Sequence, residues 1–184
     1  MPIPSTQYSD RLTLRAVEVE DASETYCAWL ADPEVNQYLE TRHADQTIEN
    51  IRDFIRAKAI SADEFLFAIC RKEDGHHIGN IKLGPMRAAH KLAEVSLFIG
   101  DRDFWRGGYG SEAIRCVTDY AFSEQDLNKV TASLYAPNAG SERAFLKAGW
   151  TKEAMLPRHY ILDAEPTDLV IMGLCRDDWT AASR

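Results

Sequence analysis

Residues 105–113 read Trp-Arg-Gly-Gly-Tyr-Gly-Ser-Glu-Ala, and they decide the fold because a glycine-rich loop here runs directly into an amphipathic helix. Glycine carries no Cβ, so Gly107, Gly108 and Gly110 let backbone N–H groups approach a bound group closely. Ser111 and Glu112 suit the first turn of the helix. Free amides at a helix N-terminus, with the positive end of the helix dipole behind them, favour phosphate. The stretch therefore predicts an anion-binding loop.

The composition indicates one globular domain. The chain has 184 residues, of which 45% are hydrophobic and 27% are charged. This is enough for a single domain spanning residues 1–184, with its core at about 10–180. No run approaches the roughly 18 apolar residues of a membrane span, and residues 1–6 lack the basic and apolar parts of a secretory signal. We therefore expect a cytoplasmic protein without membrane contact.

Charge, cysteines and histidines exclude several function classes. The formal net charge is −8, whereas a nucleic-acid binder needs a basic face to neutralise phosphates, so no nucleic-acid partner is expected. The four cysteines are widely spaced and form no C-x-x-C pair, which predicts reduced thiols. The five histidines show no metal-ligand spacing, so we also expect no metal.

Apolar periodicity orders the rest of the chain. Strands are predicted at 11–15, 64–70, 77–83, 92–99, 129–135, 158–162 and 168–174, with a further strand beginning at 150–153, and helices at about 21–31, 33–39, 48–60, from 109 and at 141–148. Residues before Arg11 are expected to form a loose tail. The early strands form an antiparallel meander, whereas the strand–helix–strand order from 92 to 135 requires parallel neighbours. We therefore expect an α/β (α+β) fold with a mixed, mostly antiparallel seven-stranded sheet and helices on both faces.

Two other kinds of phosphate-binding loop fail on their context. Gly108, Gly110 and Ala113 match Gly-x-Gly-x-x-Ala, but in a dinucleotide-binding fold the glycines follow the first strand at once, whereas residues 100–106 intervene here. That fold also needs an acidic residue at the end of the next strand, which reads Tyr-Ala-Pro at 135–137. A Walker A loop needs Gly-Lys-Ser or Gly-Lys-Thr, and the chain has neither.

Two sequence blocks resemble one protein family. Residues 105–113 look like the acetyl-CoA pyrophosphate loop of the GNAT superfamily of N-acetyltransferases, in the form typical of its RimJ/RimL-like branch. Residues 138–150, Asn-Ala-Gly-Ser-Glu-Arg-Ala-Phe-Leu-Lys-Ala-Gly-Trp, resemble that branch's Asn-x-x-Ser motif, short helix and Gly-Trp ending. Residues 11–15 and 168–179 resemble its first and last strands. The resemblance spans nearly the whole chain and implies a single-domain GNAT fold with a splayed strand pair that holds CoA.

The resemblance also implies the reaction and the donor site. Acetyl passes from acetyl-CoA to a primary amine by direct attack, without a covalent enzyme intermediate. The implied CoA contacts are Leu97, Phe98, Ile99, Arg106, Gly107, Gly108, Tyr109, Gly110, Ser111, Asn138, Ser141, Arg143 and Lys147. Two of them have a plainer explanation, since Arg106 also fits a solvated loop arginine and Asn138 a turn residue.

Two positions depart from the family pattern. The superfamily loop usually begins with Gln or Arg where this chain has Trp105, a change that a loop gripping phosphate through backbone amides tolerates. Many relatives have a tyrosine general acid where this chain has Phe145. Tyr135 and Tyr160 are possible substitutes for that acid, although strand tyrosines are also common packing residues.

Two residues are predicted to transfer protons. Glu94 occupies the family's usual place for a carboxylate base, where the alternative is an exposed strand residue. Ser141 matches the motif serine, which can protonate or hydrogen-bond the CoA sulfur. Serine is also a common N-cap, so a purely structural role at the start of its helix stays open.

Acceptor recognition is expected on the early helices and the late hairpin. The predicted contacts are Trp29, Tyr38, Glu40 and Arg158, although Trp29 and Tyr38 also fit apolar core stripes and Glu40 a solvated loop carboxylate. The acceptor is either a protein or peptide N-terminus, or a small amine such as an amino sugar or antibiotic. A non-catalytic acyl-CoA-binding module is the alternative function, and a homodimer is compatible with the sequence.

Overall fold

An eight-stranded sheet forms the centre of the computed structural model, which describes residues 4–182. The strands are β1 (Gln7–Tyr8), β2 (Leu12–Ala16), β3 (Phe65–Arg71), β4 (His77–Arg87), β5 (Leu92–Ile99), β6 (Lys129–Tyr135), β7 (Thr151–Leu162) and β8 (Glu165–Cys175). Their spatial order is β1-β2-β3-β4-β5-β6-β8-β7, and every neighbouring pair is antiparallel except β5 and β6. The expected mixed, mostly antiparallel sheet is confirmed. Residues 1–3, part of the segment weighed for a secretory signal, lie outside the described range.

Six α-helices occur in the described range. They are α1 (Glu24–Ala31), α2 (Pro33–Asn36), α3 (Ile48–Ala59), α4 (Tyr109–Ser123), α5 (Ala139–Lys147) and α6 (Arg176–Ala182). Local chemistry sets their ends. Asp32 caps α2 by accepting from the Glu34 N–H at 2.8 Å, and Gly149, with φ of 91°, follows α5 as the sequence predicts. None of the described helices is long and apolar enough to cross a membrane.

The sheet has eight strands where seven were expected. The additional strand, β1, lies in the segment expected to be a loose tail, where Gln7 pairs with Leu14 and Tyr8 with Thr13. The Gln7 side-chain amide also donates to Glu124 Oε1 at 2.9 Å, which ties β1 to the end of α4. A two-residue strand shows no alternation of polar and apolar residues, so its pairing was not visible in the sequence.

Two hydrophobic clusters cover the two faces of the sheet. On one face α4 and α5 contribute Val117, Tyr120 and Phe145 to a core that also contains Phe67 and Ile81. On the other face α1 and α3 pack over the sheet. The buried members of this second cluster include Tyr26, Trp29, Leu30, Ile51, Ile55, Ala68 and Cys70. The helices therefore lie on both faces, as expected.

The parallel strands β5 and β6 separate after three paired residues. Their pairing ends at Glu94 opposite Thr131. Beyond this point β5 stays paired with β4 as far as Ile99, and β6 with β8 as far as Tyr135. A gap therefore opens between two strands that are each held firmly on their other side, which is the splayed pair that the resemblance implied.

A buried carboxylate joins the N-terminal segment to the first turn of α4. Glu112 is 7% exposed, and its Oε1 accepts from the Arg11 backbone N–H at 2.7 Å and from the Ser9 hydroxyl at 2.8 Å. Its Oε2 accepts from Arg11 Nε at 2.7 Å. The Arg11 guanidinium also donates to the Gly107 carbonyl at 3.1 Å and lies 4.2 Å from the centre of the Tyr109 ring. This cluster fixes the loop that precedes α4.

We expect Glu112→Gln to lower the free energy of unfolding by about 2 kcal/mol at neutral pH, because three charge-assisted hydrogen bonds are weakened. Burial raises the pKa of Glu112, but the hydrogen bonds from Arg11 and Ser9 outweigh it, so the pKa lies below its ordinary value. The stabilisation is therefore present above the unfolded pKa of about 4.3 and is lost as pH falls through the lower folded pKa.

Urea denaturation of the wild type and the variant, from about pH 7 down to about pH 3, tests this expectation. The stability difference should shrink as the pH falls. Glu153→Gln is the matched control, since Glu153 makes a partly exposed ion pair with Lys129 at 2.7 Å and should change stability by less than about 1 kcal/mol. Equal losses in the two variants would contradict the role given to Glu112.

Candidate functional site

The glycine loop turns sharply into α4. Arg106 and Gly108 have φ of 63° and 82°, in the left-handed region that glycine adopts without strain. Gly108 is the N-cap residue, so α4 begins at Tyr109 and the N–H groups of its first turn have no acceptor within the helix. These amides, on Tyr109, Gly110 and Ser111, stand at the positive end of the α4 dipole. The arrangement is suited to an anion such as a phosphate.

A cavity of about 560 Å³ lies over this loop, between α5 and the end of β5, and we call it the donor cleft. Its lining includes twelve of the thirteen residues that the resemblance assigns to CoA, namely Leu97, Phe98, Ile99, Arg106, Gly108, Tyr109, Gly110, Ser111, Asn138, Ser141, Arg143 and Lys147. Gly107 is the exception, and its carbonyl accepts from Arg11. The structure thus brings these residues to one cleft, while their contact with CoA stays a prediction.

Three cationic side chains line the donor cleft. Arg106 comes from the loop, and Arg143 and Lys147 lie one turn apart on α5. Glu34 is the one carboxylate among the lining residues, and it pairs with Arg102 at 2.7 Å. A chain with a net charge of −8 therefore presents a locally positive wall beside the amides of α4.

Trp105 has a structural role at the position where the superfamily usually has Gln or Arg. Its indole Nε1 donates to the Ile99 carbonyl at 2.8 Å, and the Arg102 guanidinium lies 5.6 Å from its ring centre. The side chain thus joins the start of the loop to the last residue of β5. The groups suited to a phosphate are therefore the backbone amides of α4 and the three cations.

A second cavity, of about 460 Å³, lies on the α1 and α3 face of the sheet beside the gap between β5 and β6, and we call it the acceptor cavity. Its polar and aromatic lining includes Tyr26, Tyr38, Glu40, Asp45, Asn80, Lys82, Glu94, Phe98, Ser133, Tyr135 and Tyr160. The residues that line both cavities are Tyr38, Leu39, Leu97, Phe98, Asn138 and Ser141. The two cavities therefore meet where β5 leaves β6 and α5 begins.

Asn138, and not Ser141, is the N-cap of α5. The Asn138 Oδ1 accepts from the Ser141 backbone N–H at 3.1 Å, and the helix begins at Ala139. The capping role considered for Ser141 is therefore wrong, because the helix begins two residues earlier than expected. The Ser141 side chain instead forms part of the wall that the two cavities share.

Glu94 lies at the point where β5 and β6 part. Its side chain is half-buried and lines the acceptor cavity, so the alternative of an exposed strand residue is wrong. Among the described residues, no hydrogen bond or ion pair engages its carboxylate. Tyr160 lies nearby, and burial, together with the charges of Glu40 and Glu94, raises the pKa of its phenol. Glu94 is thus a carboxyl group without a hydrogen-bond partner among the described residues, close to the phenol of Tyr160.

Three tyrosines form an aromatic wall of the acceptor cavity. The ring centres of Tyr38 and Tyr135 are 6.1 Å apart, and those of Tyr135 and Tyr160 are 4.8 Å apart. The Tyr135 hydroxyl donates to Glu40 Oε1 at 2.6 Å and accepts from Arg42 Nη2 at 3.0 Å. Burial and the bond to Glu40 raise the pKa of Tyr135, so its phenol is neutral near pH 7. The Tyr135 hydroxyl already donates its hydrogen to Glu40, which weighs against Tyr135 as the substitute acid.

Two predicted acceptor contacts lie outside both cavities. Trp29 is buried in the core, with its ring centre 5.2 Å from that of His77 and 6.0 Å from that of Tyr26. Arg158 is exposed on an irregular part of β7, where its φ is 50° and its N–H donates to Asp168 Oδ1 at 2.8 Å. The structure therefore brings together Tyr38 and Glu40 but not these two, because one side chain serves the core and the other faces solvent.

Sequence analysis missed most of the polar residues that line the acceptor cavity, among them Tyr26, Asn80 and Lys82. Tyr26 lies on the apolar stripe of α1, where it reads as an ordinary core residue. Asn80 and Lys82 lie two residues apart on β4, which places both side chains on one face of the strand. The only signal in the sequence was Asn80, a single asparagine in a strand of mostly buried residues. This signal does not reveal which cavity or surface the side chain contacts.

A family model described as "Acetyltransferase (GNAT) domain" matches residues 11–151. An uncharacterized N-acetyltransferase named p20, from Bacillus licheniformis, is 27% identical over 180 residues, which are 95% of this chain and 98% of that protein.

Solved structures share the fold. Mycobacterium smegmatis RimJ in complex with CoA-disulfide superposes with a TM-score of 0.81 at 22% identity, covering 98% of this chain and 96% of that one. Spermidine N-acetyltransferase from Vibrio cholerae, in complex with CoA and spermine, superposes with a TM-score of 0.81 at 17% identity, covering 94% of this chain and 99% of that one. At these identities the likeness concerns the fold alone.

We expect Arg143→Ala and Lys147→Ala each to weaken CoA binding several-fold, because each removes a charge from the wall of the donor cleft, with a loss of about 1 kcal/mol at low salt. Calorimetric titration with CoA measures the effect, which should diminish as salt is added. Lys72→Ala is the control, since Lys72 donates to the Ser9 carbonyl and lines neither cavity. Unchanged CoA affinity in both α5 variants would remove these cations from the donor site.

Proposed function

The chain belongs to the GNAT acetyltransferase family and is an acetyl-CoA-dependent N-acetyltransferase, and we propose that its amine acceptor enters the acceptor cavity and attacks where this cavity meets the donor cleft. The observation that carries the proposal is the shared wall, to which Leu97, Phe98, Asn138 and Ser141 contribute. A thioester anchored over the glycine loop reaches this wall from one side, and an amine reaches it from the other. The alternative of a non-catalytic module is not supported.

The reaction replaces the C–S bond of the thioester by a C–N bond and moves one proton from nitrogen to sulfur. The neutral amine nitrogen attacks the carbonyl carbon of the thioester, a C–N bond forms, and the C–S bond to CoA breaks. The nitrogen loses a proton and the departing thiolate gains one, so the products are an amide and CoA with a free thiol. Charge that develops on the carbonyl oxygen needs an N–H donor. Backbone groups of β5 beyond Glu94 face the gap without a β6 partner and are suited to this role.

Glu94 is our proposed base. It is half-buried, it faces the acceptor cavity, and it lies beside the junction of the two cavities. Two further carboxylates, of Glu40 and Asp45, line the same cavity and favour entry of a cationic ammonium group. An ammonium ion cannot attack, so a base that removes its proton, directly or through a water molecule, makes it reactive.

Ser141 is our proposed partner for the sulfur of CoA. Its side chain lies on the shared wall and Asn138 fulfils the capping role, so the hydroxyl is available to donate toward a developing thiolate. Phe145, at the position of the family's tyrosine acid, carries no proton to give and is buried with its ring centre 4.7 Å from that of Trp150. Ser141 is therefore the hydroxyl that the family motif supplies on this wall.

Both classes of acceptor fit this account. A protein or peptide N-terminus and a small amine each present a primary amine, and the fold neighbours include RimJ, a putative ribosomal-protein-serine acetyltransferase and a spermidine N-acetyltransferase. Incubation with acetyl-CoA and separate panels of peptides, amino sugars and polyamines, with release of free thiol as the readout, ranks the classes. No thiol release above the acceptor-free rate in any panel would contradict the proposal.

We expect Glu94→Gln to lower kcat by about 100-fold, because the amide cannot accept the proton of the incoming amine. CoA affinity should stay within about twofold, since Glu94 lines only the acceptor cavity. The loss should diminish as pH is raised, because a larger fraction of the free amine is then neutral without enzymatic help.

Thiol-release kinetics across pH, beside calorimetric titration with CoA, measure both effects. Glu153→Gln, outside both cavities, is the matched control and should retain the wild-type rate. A kcat of Glu94→Gln equal to that of the wild type at every pH would exclude Glu94 as the base.

We expect Ser141→Ala to lower kcat by about tenfold, because the thiolate leaves without a hydroxyl donor. Ser141→Thr retains a hydroxyl and should restore part of the rate. Ser123→Ala is the matched control, since the Ser123 hydroxyl donates to the Asp119 carbonyl far from the shared wall. Steady-state kinetics at saturating acetyl-CoA provide the measurement, and equal rates for the alanine variant and the wild type would remove Ser141 from the chemistry.

A further inference from the structure

One buried asparagine on the wall of the acceptor cavity has an unsatisfied donor. Asn80 is 2% exposed and lies in the middle of β4, opposite Ala68 of β3 and Phe98 of β5. Its side chain lines the acceptor cavity. The proposed roles of Glu94 and Ser141 make no use of this residue.

The orientation of the Asn80 amide follows from its neighbour His77. The Nε2 atom of His77 lies 3.0 Å from the Gly79 carbonyl and 2.9 Å from Asn80 Oδ1. A carbonyl oxygen only accepts, so Nε2 carries a hydrogen and Asn80 must present its oxygen to it. Burial lowers the pKa of His77, which keeps the ring neutral near pH 7. The Asn80 NH₂ group therefore points away from the His77 ring.

That NH₂ group has no hydrogen-bond acceptor among the described residues. Asn80 also partly offsets the rise that burial causes in the pKa of the Tyr26 phenol, and the two side chains line the same cavity. Nearly all buried amide donors in proteins are satisfied, by protein atoms or by water.

We propose that Asn80 Nδ2 donates a hydrogen bond to an uncharged oxygen of the acceptor, a carbonyl or hydroxyl close to its amine, and so selects oxygen-bearing amines over alkyl polyamines. The inference rests on the proposed function, because it assigns the acceptor to the same cavity. A protonated polyamine offers only N–H donors, so its binding leaves the Asn80 donor unpaired and removes any water that served it. A site built to bond an oxygen rejects analogues that lack it.

Three amines that share a CH3–CH(NH2)– unit test the proposal. Alaninamide carries a carbonyl, 2-aminopropan-1-ol carries a hydroxyl, and butan-2-amine carries neither. The wild type should favour at least one oxygen-bearing amine over butan-2-amine by about tenfold or more in kcat/KM. Asn80→Leu, which removes the donor, should reduce this preference by about tenfold. Differences in amine basicity cancel, since both enzymes face the same three compounds.

Asn80→Asp is the second variant, in case leucine disturbs the fold. It keeps an oxygen toward His77 and replaces the NH₂ donor with an acceptor, so the preference should fall at least as far as in the leucine variant. Comparison of alaninamide with 2-aminopropan-1-ol shows whether the site prefers a carbonyl or a hydroxyl oxygen. Asn36→Leu is the matched control, because the Asn36 amide donates to the Leu30 carbonyl at 2.7 Å and lines neither cavity. Its melting temperature should fall while its preference stays at the wild-type value.

A failure of the inference is distinguishable from a failure of the proposed function. Absence of turnover with these three amines and in every panel contradicts the proposed function. Where the three compounds are not turned over, they are titrated against the CoA-saturated protein by ligand-observed NMR. A preference for the oxygen-bearing ligands that Asn80→Leu abolishes supports the role of Asn80 in either case. Equal preference in the wild type and both Asn80 variants, in turnover or in binding, overturns it.

Discussion

The separation of β5 from β6 after Glu94 is the constraint on which the rest of the site depends. Strands of a sheet normally satisfy each other's backbone groups, and an unpaired edge in the middle of a sheet needs another partner. Here β4 and β8 hold the two strands on their outer sides, so the gap cannot close without breaking either ladder. The donor cleft and the acceptor cavity both border this gap, and they share lining residues from the end of β5 and the start of α5. One divergence of strands thus gives the two cavities a common wall.

The N-terminus of α4 supplies a second feature, a fixed set of backbone amides suited to an anion. Glu112 is buried in the first turn of the helix and is bonded to Ser9 and Arg11, so strand β2 and the helix are held together at the loop. Arg11 also contacts Gly107 and Tyr109 within the loop. A carboxylate at this position suits the positive end of the helix dipole and leaves the outward amides free. The anion site is therefore ordered before an anion binds.

Local signals allowed much of the fold to be predicted. The bounds of β5 and β6 agree with the alternating pattern, and the glycines at 107–110 located both the loop and the start of α4. Long-range effects account for what was missed. The two residues of β1 form a strand only because β2 lies beside them, and Asn138 and Ser141 are both good caps, so the pattern alone could not say which one began α5.

Side-chain surroundings limited the prediction of the acceptor site in the same way. Trp29 and Tyr38 both lie on apolar stripes, yet one fills the core and the other lines both cavities, a difference set by the packing of helices against the sheet. Asn80 was not noticed, because its importance lies in a donor that its neighbours leave unused. Motifs identified the acetyl donor, whereas acceptor recognition depends on residues brought together from several elements.

A crystal structure with a CoA–amine bisubstrate compound tests the account most directly. It should show the pyrophosphate on the first amides of α4, the pantetheine arm in the gap between β5 and β6, the sulfur beside Ser141 and the amine in the acceptor cavity near Glu94. A pantetheine arm that runs outside the gap, or a sulfur distant from the wall shared by the two cavities, would contradict the central claim.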